Sequence, residues 1–170
     1  MFAATSAQRL RRELDGGADA AFRRVLAMAA PDLADRLAQR DAVGPRRVFP
    51  GLTGYLRDAA GPGWALVGDA GYFKDPITAH GITDALRDAQ LLARAITTGG
   101  PGAVGRYQAE RDALSLRLFR VTGRIASFDW TADDIGGHLL ELKDAMAEEV
   151  AAMTGDQLGD PGRQLEPAPA

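Results

Sequence analysis

Residues 64–85 read WALVGDAGYFKDPITAHGITDA, and this stretch decides the fold, because it predicts a strand, a loop and a helix in direct succession. Trp64 to Val67 is a short apolar run bounded by glycines, which is typical of a buried strand. Asp69 follows at the point where this strand ends. Since ligands of α/β folds bind at the carboxyl ends of strands, the stretch predicts a ligand site around this carboxylate.

A helix is predicted to begin just after Gly81, where the period of the apolar residues changes. One face carries Ile82, Ala85, Leu86, Ala89, Leu92, Ala93 and Ile96, and the other carries Thr83, Asp84, Arg87, Asp88 and Arg94. The N-terminus of such a helix favours an anion or an electron-rich carbonyl by roughly 0.3–1 kcal/mol. Ionised Asp69 is an acceptor suited to the neighbouring hydroxyls of a polyol. The simpler alternative is a turn after a strand, followed by an ordinary core helix.

Four parts of this stretch form one pattern, namely Gly68-Asp69-Ala70, Pro76, Gly81-Ile82 and Asp88-Ala89. The pattern resembles the second flavin-binding motif of FAD-dependent monooxygenases of the p-hydroxybenzoate hydroxylase-like superfamily, to which flavin-dependent halogenases and geranylgeranyl reductases are related. The resemblance is specific over residues 64–97 and looser to about 153. It implies an α/β parent fold of the FAD/NAD(P)-binding kind. The family pattern has glycine at both positions that flank His80, whereas this chain has Ala79 at the first of them.

The resemblance also implies which residues hold the cofactor. Asp69 would accept hydrogen bonds from the ribityl chain of FAD, and the loop from Pro76 to Ile82 would present backbone N–H groups to the pyrimidine end of the isoalloxazine ring. The implied cofactor-binding residues are Gly68, Asp69, Pro76, Ala79, His80, Gly81 and Ile82. The implied activity is that of a monooxygenase, in which a flavin hydroperoxide attacks a small organic substrate, and NAD(P)H is the implied reductant.

Composition narrows the class of protein. A chain of 170 residues with 46% hydrophobic content is long enough for one domain with its own core. The net charge of −3 gives no basic surface for nucleic acid. No apolar run approaches the ~20 residues that span a bilayer. The absence of cysteine excludes disulfides and thiolate catalysis and suits a cytoplasmic protein, and two histidines make a histidine-rich metal site unexpected.

Three regions are predicted along the chain. Residues 1–63 are interpreted as the C-terminal remnant of a substrate domain with a connector, residues 64–153 as the second FAD motif with the C-terminal helices, and residues 154–170 as a disordered tail. The chain is therefore expected to be mostly α-helical, with two or three short strands.

Helices are predicted on both sides of the motif. Ser6 and Asp19 are expected to cap the first two helices, and Pro31 to start a third. Pro101 is expected in the first turn of a long helix. Thr131 opens the last helix with an acidic variant of the capping box. These last two helices are predicted to pack as an antiparallel pair.

Two further stretches leave a choice between functional and structural readings. Residues 46–49 have the length of one short strand, and Arg46 or Arg47 either faces the flavin or substrate or protects a sheet edge. Gly100 to Gly105 satisfies G-x-G-x-x-G literally. That fingerprint requires a strand immediately before it, and here a helix precedes it, so dinucleotide binding is not expected at this position.

An FAD protein of this class needs a βαβ unit whose glycine loop holds the pyrophosphate, and the sequence contains no such unit. The first hypothesis is that the chain is the C-terminal part of a flavoprotein and is completed by an N-terminal FAD-binding segment. The second is a non-catalytic helical interaction or regulatory module that keeps the motif as scaffold. Catalytic residues stay unassigned, and His80 either acts at the flavin or satisfies the backbone of its loop.

Overall fold

The structure is a computed structural model and describes residues 3–40 and 43–155. This part of the chain is mostly helical with a few short strands, as predicted. The helices are α1 (Ala7–Glu13), α2 (Gly17–Ala29), α3 (Pro31–Ala38), α4 (Gly81–Thr98), α5 (Ala103–Ser127) and α6 (Ala132–Gly155), and the strands are β1 (Tyr55–Leu56), β2 (Ala60–Gly61), β3 (Trp64–Ala65) and β4 (Tyr72–Phe73). Short 3₁₀ helices cover Leu14–Gly16, Gly68–Ala70 and Pro76–Thr78.

The three N-terminal helices follow most of the predicted signals. The hydroxyl of Ser6 accepts a first-turn N–H of α1 at 3.3 Å, and Pro31 opens α3, so both predictions are confirmed. The prediction for Asp19 is wrong, because α2 already begins at Gly17 and the Asp19 carboxylate binds arginine side chains instead. Pairing with these arginines competes with capping, because ionised partners bind a carboxylate more strongly than a neutral N–H does.

The strands are shorter and differently placed than predicted. β1 pairs antiparallel with β4, and β2 pairs antiparallel with β3 through a turn at Pro62 and Gly63, whose φ is +79°. Residues 46–49 form no strand, so that prediction is wrong. No strand among the described residues lies beside them to supply a ladder, and Pro45 and Pro50 lack the N–H that a ladder needs at either end.

α5 is the central helix and packs against both α4 and α6. Leu118, Val121 and Ile125 of α5 meet Ala145 of α6 in one apolar cluster, which confirms the predicted antiparallel pair. The capping box of α6 is confirmed as well, because Asp134 accepts the N–H of Thr131 at 2.9 Å and the Thr131 hydroxyl accepts that of Asp134 at 3.3 Å. Pro101 lies in the turn before α5 and not in its first turn, since Gly102 is the N-cap.

Facing α4, a second apolar cluster joins Leu91 of α4, Tyr107 of α5 and Ala59 of the connector. Polar side chains of α5 then fix the chain around the predicted motif. Tyr107 donates to the carbonyl of Leu66 at 2.5 Å, and Arg111 donates to the carbonyls of Gly71 at 3.0 Å and of Arg57 at 2.6 Å. The loop that carries Asp69 is therefore held by α5.

α4 begins at Gly81, as predicted, but its two faces are arranged unusually. An amphipathic helix ordinarily buries its apolar face. Here Asp84, Arg87 and Asp88 are buried, while Ile82 is 80% exposed and Leu86 is 67% exposed. The exposed apolar residues, which we call the α4 stripe, are Ile82, Leu86, Ala89, Ala93 and Ile96.

None of the described helices is both long and apolar enough to cross a membrane. The predicted tail at 154–170 falls almost wholly outside the described residues, since α6 continues to Gly155.

Candidate functional site

Gly68 brings the end of the predicted strand into direct contact with α4. Its φ is +53°, and a Cβ at this position would lie 2.9 Å from the Cβ of Ala85. Any other residue would therefore meet both a strained backbone and a collision. The Gly68 N–H donates to the carboxylate of Asp88 at 3.0 Å. Asp88 is fully buried, so its part in the pattern is to fix this loop on the helix.

Asp69 lies next to the N-terminus of α4. Its Oδ1 is 3.9 Å from the point that a Cβ of Gly81 would occupy, and the side chain is exposed. Its carbonyl accepts a hydrogen bond from the Tyr55 hydroxyl at 2.6 Å, which fixes the backbone. No side chain caps α4, although His80 is its N-cap residue, and Gly81 and Ile82 are exposed. The structure therefore brings together an exposed carboxylate and an open helix N-terminus.

The loop before α4 is a single 3₁₀ turn from Pro76 to Thr78. The Asp75 carboxylate accepts the N–H of Ile77 at 2.9 Å and fixes the entry to this turn. Ala79 then adopts a left-handed conformation, with φ +53° and ψ +29°. That conformation costs a non-glycine residue ~1–2 kcal/mol, and glycine adopts it freely. The left-handed backbone conformation thus explains why the family pattern has glycine at this position.

The His80 side chain has a partner that neither sequence-based alternative named. Its ring is buried, and Nε2 bonds to the carboxylate of Glu149 on α6. The neighbouring positions Ala79 and Gly81 are exposed. Of the predicted cofactor-binding residues, Asp69, Pro76, Ala79, Gly81 and Ile82 are therefore exposed, while Gly68 and His80 lie beneath them.

Beneath this surface lies a cluster of buried charges that we call the ion cluster. It consists of Lys74, His80, Asp84, Arg87, Asp88 and Glu149. Arg87 donates to Asp88 at 2.7 and 3.0 Å and to Asp84 at 3.2 Å, and it also binds Glu149. Lys74 pairs with Asp84. Three carboxylates thus face the side chains of Lys74, Arg87 and His80 in this cluster.

The ion cluster shifts the pKa values of its members. Burial favours the neutral form and lowers the pKa of Lys74 to about 8. Burial would raise the pKa of Glu149, but the hydrogen bond from His80 and the charge of Arg87 outweigh it, so the pKa of Glu149 falls below its ordinary value. Tyr72 lies against the cations, with its ring centroid 4.7 Å from Lys74 Nζ and 5.6 Å from Arg87 Cζ. Burial raises the pKa of Tyr72.

Three members of the ion cluster have the spacing of metal ligands. One ligand atom each of His80, Asp84 and Glu149 lies within 4.8 Å of the others. However, Arg87 already contacts both carboxylates and Lys74 contacts one of them. A divalent ion would bring further positive charge into a site whose anions are paired. We therefore interpret the cluster as structural.

Sequence reasoning missed this cluster. The only local signal was the trio Asp84, Arg87 and Asp88, whose i, i+3 and i, i+4 spacing equally fits a solvent-exposed helix face. Glu149 lies 62 residues further along the chain from Arg87, and nothing in its own surroundings marks it as buried.

A pocket of about 350 Å³ lies on the N-terminal side of the 3₁₀ turn at Pro76. α1, α2 and residues 46–51 form most of its wall, and Pro76 and Ile77 close it on the side of the predicted flavin loop. Arg46 and Arg47 also line it, so the structure brings these two arginines to a cavity instead of a sheet edge.

Comparisons with known proteins return no match: no family model, no curated protein and no solved structure matches this chain.

Proposed function

We propose that this chain is the FAD-binding part of a flavin-dependent oxidoreductase, a monooxygenase of a small organic substrate. The observation that carries the proposal is the exposed Asp69 carboxylate beside the open N-terminus of α4. The resemblance of residues 64–97 to a flavin-binding motif, which includes Asp69 and Gly81, also supports it. Bound FAD would supply the redox chemistry, with NAD(P)H as its reductant.

The chain's own residues would orient the ring end of the cofactor. Asp69 would accept hydrogen bonds from the ribityl hydroxyls, because an ionised carboxylate offers two acceptor oxygens. The free N–H groups at the start of α4 would face the pyrimidine edge of the ring and favour negative charge there. Gly81 fits this role, because a Cβ on it would lie 3.9 Å from Oδ1 of Asp69 and would take up space beside that carboxylate.

A second polypeptide segment would complete the site by supplying the glycine loop that holds the pyrophosphate. Two surfaces support such a partner. The first is the α4 stripe, which is apolar and exposed. The second is the free edge of β3. The Leu66 N–H bonds to the carbonyl of Ala59, so the backbone groups of the alternate residues Ala65 and Val67 point to the opposite side of the chain. No further strand lies on that side among residues 3–40 and 43–155.

The α4 stripe alone favours the second candidate function, a helical interaction module without catalysis. Exposed apolar patches commonly mark protein–protein contacts. FAD binding separates the two candidates. In a flavin-binding part the affinity for FAD should depend on Asp69, whereas an interaction module has no FAD site for Asp69 to affect.

The test is a fluorescence titration of FAD with the 170-residue chain. Half a site lacks the pyrophosphate and adenosine contacts, so we expect colourless purified protein and a Kd no better than tens of micromolar, on the order of −6 kcal/mol. Loss of a charged hydrogen bond costs about 1.5–3 kcal/mol, so Asp69→Ala should weaken binding roughly ten- to 150-fold. Asp35→Ala, an exposed change on α3, is the control and should leave the Kd unchanged.

Two results would each contradict one part of the proposal, the role of Asp69 or the need for a second segment. A Kd equal in Asp69→Ala and in the parent chain would remove Asp69 from any flavin site. Stoichiometric FAD on the purified chain would show that the pyrophosphate contacts are already present and that no second segment is needed.

A further inference from the structure

The residues of the α4 stripe follow the spacing of a coiled-coil seam. From Ile82 through Leu86, Ala89 and Ala93 to Ile96 the steps are four, three, four and three residues. This alternation keeps one side of a helix turned towards a second helix along its whole length. Ile82, Leu86 and Ile96 are 80%, 67% and 61% exposed, so no element within residues 3–40 and 43–155 covers them.

The stripe also has a two-fold pattern centred on Ala89. Ile82 and Ile96 lie seven residues before and seven after it, and Leu86 and Ala93 lie three before and four after it. When two copies of α4 run antiparallel and cross at Ala89, Ile82 of one copy meets Ile96 of the other. Leu86 then lies within about 1.5 Å, measured along the helix axis, of Ala93 of the second copy. A large side chain thus opposes a small one on both sides of the crossing point, as interdigitating helices require.

A parallel pair of α4 helices would fit less well. Each residue would then meet its own copy at the same height, so Ala89 and Ala93 would face two further alanines and leave that half of the seam poorly filled. The helix dipoles also favour the antiparallel pair. The uncapped N-terminus of α4 carries partial positive charge, and an antiparallel partner brings its negative C-terminus to that end.

The charges of α4 do not oppose this contact. Thr83, Gln90 and Thr97 border the stripe on one side and are uncharged. The charged residues of α4 that belong to the ion cluster are buried on the far face of the helix. Arg94 pairs with Glu110 of α5. Two copies can therefore approach along the stripe without bringing like charges together.

The length of the seam limits the strength of the contact. From Ile82 to Ile96 the helix is ~21 Å long and ~10 Å wide, so two copies bury less than the ~1,200 Å² of a standard stable interface. An interface of this size gives a weak dimer, with a Kd on the order of 10–100 µM. The chain is then monomeric at low micromolar concentration and dimeric when concentrated.

We propose that the α4 stripe pairs two copies of this chain, with their α4 helices antiparallel and crossing at Ala89. This pairing goes beyond the proposed function and does not depend on FAD. A segment that completes the flavin site would compete for the same stripe. In the purified chain the occupant is the second copy.

The first experiment is sedimentation equilibrium of the 170-residue chain from about 1 µM to about 1 mM, which brackets the expected Kd. The mean mass should rise from 18.0 kDa towards twice that value. Ala89→Glu brings two like charges together at the crossing point and should raise the Kd at least about tenfold, and so should Ala89→Lys. An equimolar mixture of the two variants should restore the dimer, because residue 89 of one copy meets residue 89 of the other.

The second experiment tests the antiparallel direction by disulfide formation. The chain contains no cysteine, so one introduced cysteine reports on one position. Ala89→Cys should cross-link on mild oxidation, because the two copies of residue 89 face each other at the crossing point. Ala93→Cys is the matched change on the same stripe. It should cross-link at least about tenfold more slowly, because the two copies of residue 93 lie ~12 Å apart along the helix axis, beyond the ~7 Å Cα separation that a disulfide spans.

Leu140→Glu, on an exposed leucine of α6, is the control for added charge and should leave the Kd within about twofold. Thermal midpoints report that each variant still folds. A chain that stays monomeric at about 1 mM would overturn the proposal, as would a mixture of the Ala89→Glu and Ala89→Lys variants that does not associate. Equal cross-linking at positions 89 and 93 would overturn the antiparallel arrangement. A monomeric chain that binds a separately expressed N-terminal segment, and loses it in Ala89→Glu, would assign the stripe to that segment instead.

Discussion

At the scale of single residues, variants of Gly81 and Ala79 distinguish effects on folding from effects on ligand binding. Gly81→Val should change the free energy of unfolding by less than about 0.5 kcal/mol, because position 81 is exposed and a Cβ there would lie 3.9 Å from Oδ1 of Asp69. It should still weaken FAD binding about tenfold or more, since it occupies the space beside the helix N-terminus. Ala79→Gly should leave the FAD Kd within a factor of about two. Chemical denaturation and FAD titration measure the two quantities, and equal, negligible effects of both variants on FAD would place this loop outside the flavin site.

The adjacent residues Glu148 and Glu149 give a matched test of the ion cluster. Glu149 is buried and binds His80 and Arg87, whereas Glu148 forms an exposed pair with Arg117. Removing one partner of a buried pair leaves an uncompensated charge, so Glu149→Gln should cost about 3–5 kcal/mol of unfolding free energy. Glu148→Gln should cost at most about 1 kcal/mol. Urea denaturation gives both values, and similar values for the two variants would contradict the burial of the cluster.

At the scale of elements, α4 has its polar face buried and part of its apolar face exposed. Because the ion cluster already satisfies Asp84, Arg87 and Asp88, the burial of these charges is compensated inside the chain. The apolar residues of the α4 stripe have no such compensation. They are therefore available to another surface, which is the feature that both candidate functions use.

Leu86 and Leu91 test this orientation on one helix. Leu86 is 67% exposed, so Leu86→Ala should change the free energy of unfolding by less than about 0.5 kcal/mol. Leu91 packs against Ala59 and Tyr107, so Leu91→Ala should cost about 2–5 kcal/mol. Denaturant midpoints of the two variants decide between these values. Comparable losses would mean that the α4 stripe is covered in solution by some other part of the protein.

At the scale of the whole molecule, buried titratable groups make stability depend on pH. The pKa of Lys74 is about 8 in the folded chain against an ordinary 10.5, so between these values the folded state binds fewer protons than the unfolded state. The free energy of unfolding should therefore rise with pH from about 8 to 10, by at most ~1.4 kcal/mol per pH unit. Above about pH 10 it should fall, because burial raises the pKa values of Tyr72 and Tyr107 and the folded state keeps protons that the unfolded state loses.

Lys74→Met removes the group responsible for the rise. Urea denaturation of the variant between pH 8 and 10 should show a flat free energy of unfolding, with the fall above pH 10 retained. A rise of the parent's size in the variant would assign the effect to another member of the ion cluster.

The sequence by itself determined the elements whose signals are local. Ser6, Pro31 and the capping box at Thr131 and Asp134 each act within one turn of helix, and the start of α4 at Gly81 follows from a change in period over a few residues. The position of Asp69 beside that helix does not follow from local order alone, because β4 and two 3₁₀ helices lie between the end of β3 and Gly81.

Only the tertiary structure decided which face of α4 is buried and what lies beneath the loop. Glu149 of α6 contacts His80 and Arg87, which lie more than sixty residues earlier in the chain. Arg46 was predicted to lie in a strand and instead contacts Asp19 and Phe22 of α2. Such contacts depend on where separate elements meet. A period of 3.6 residues gives the same two faces whether the charges are solvated or paired inside, so the choice between them lies with the packing partners.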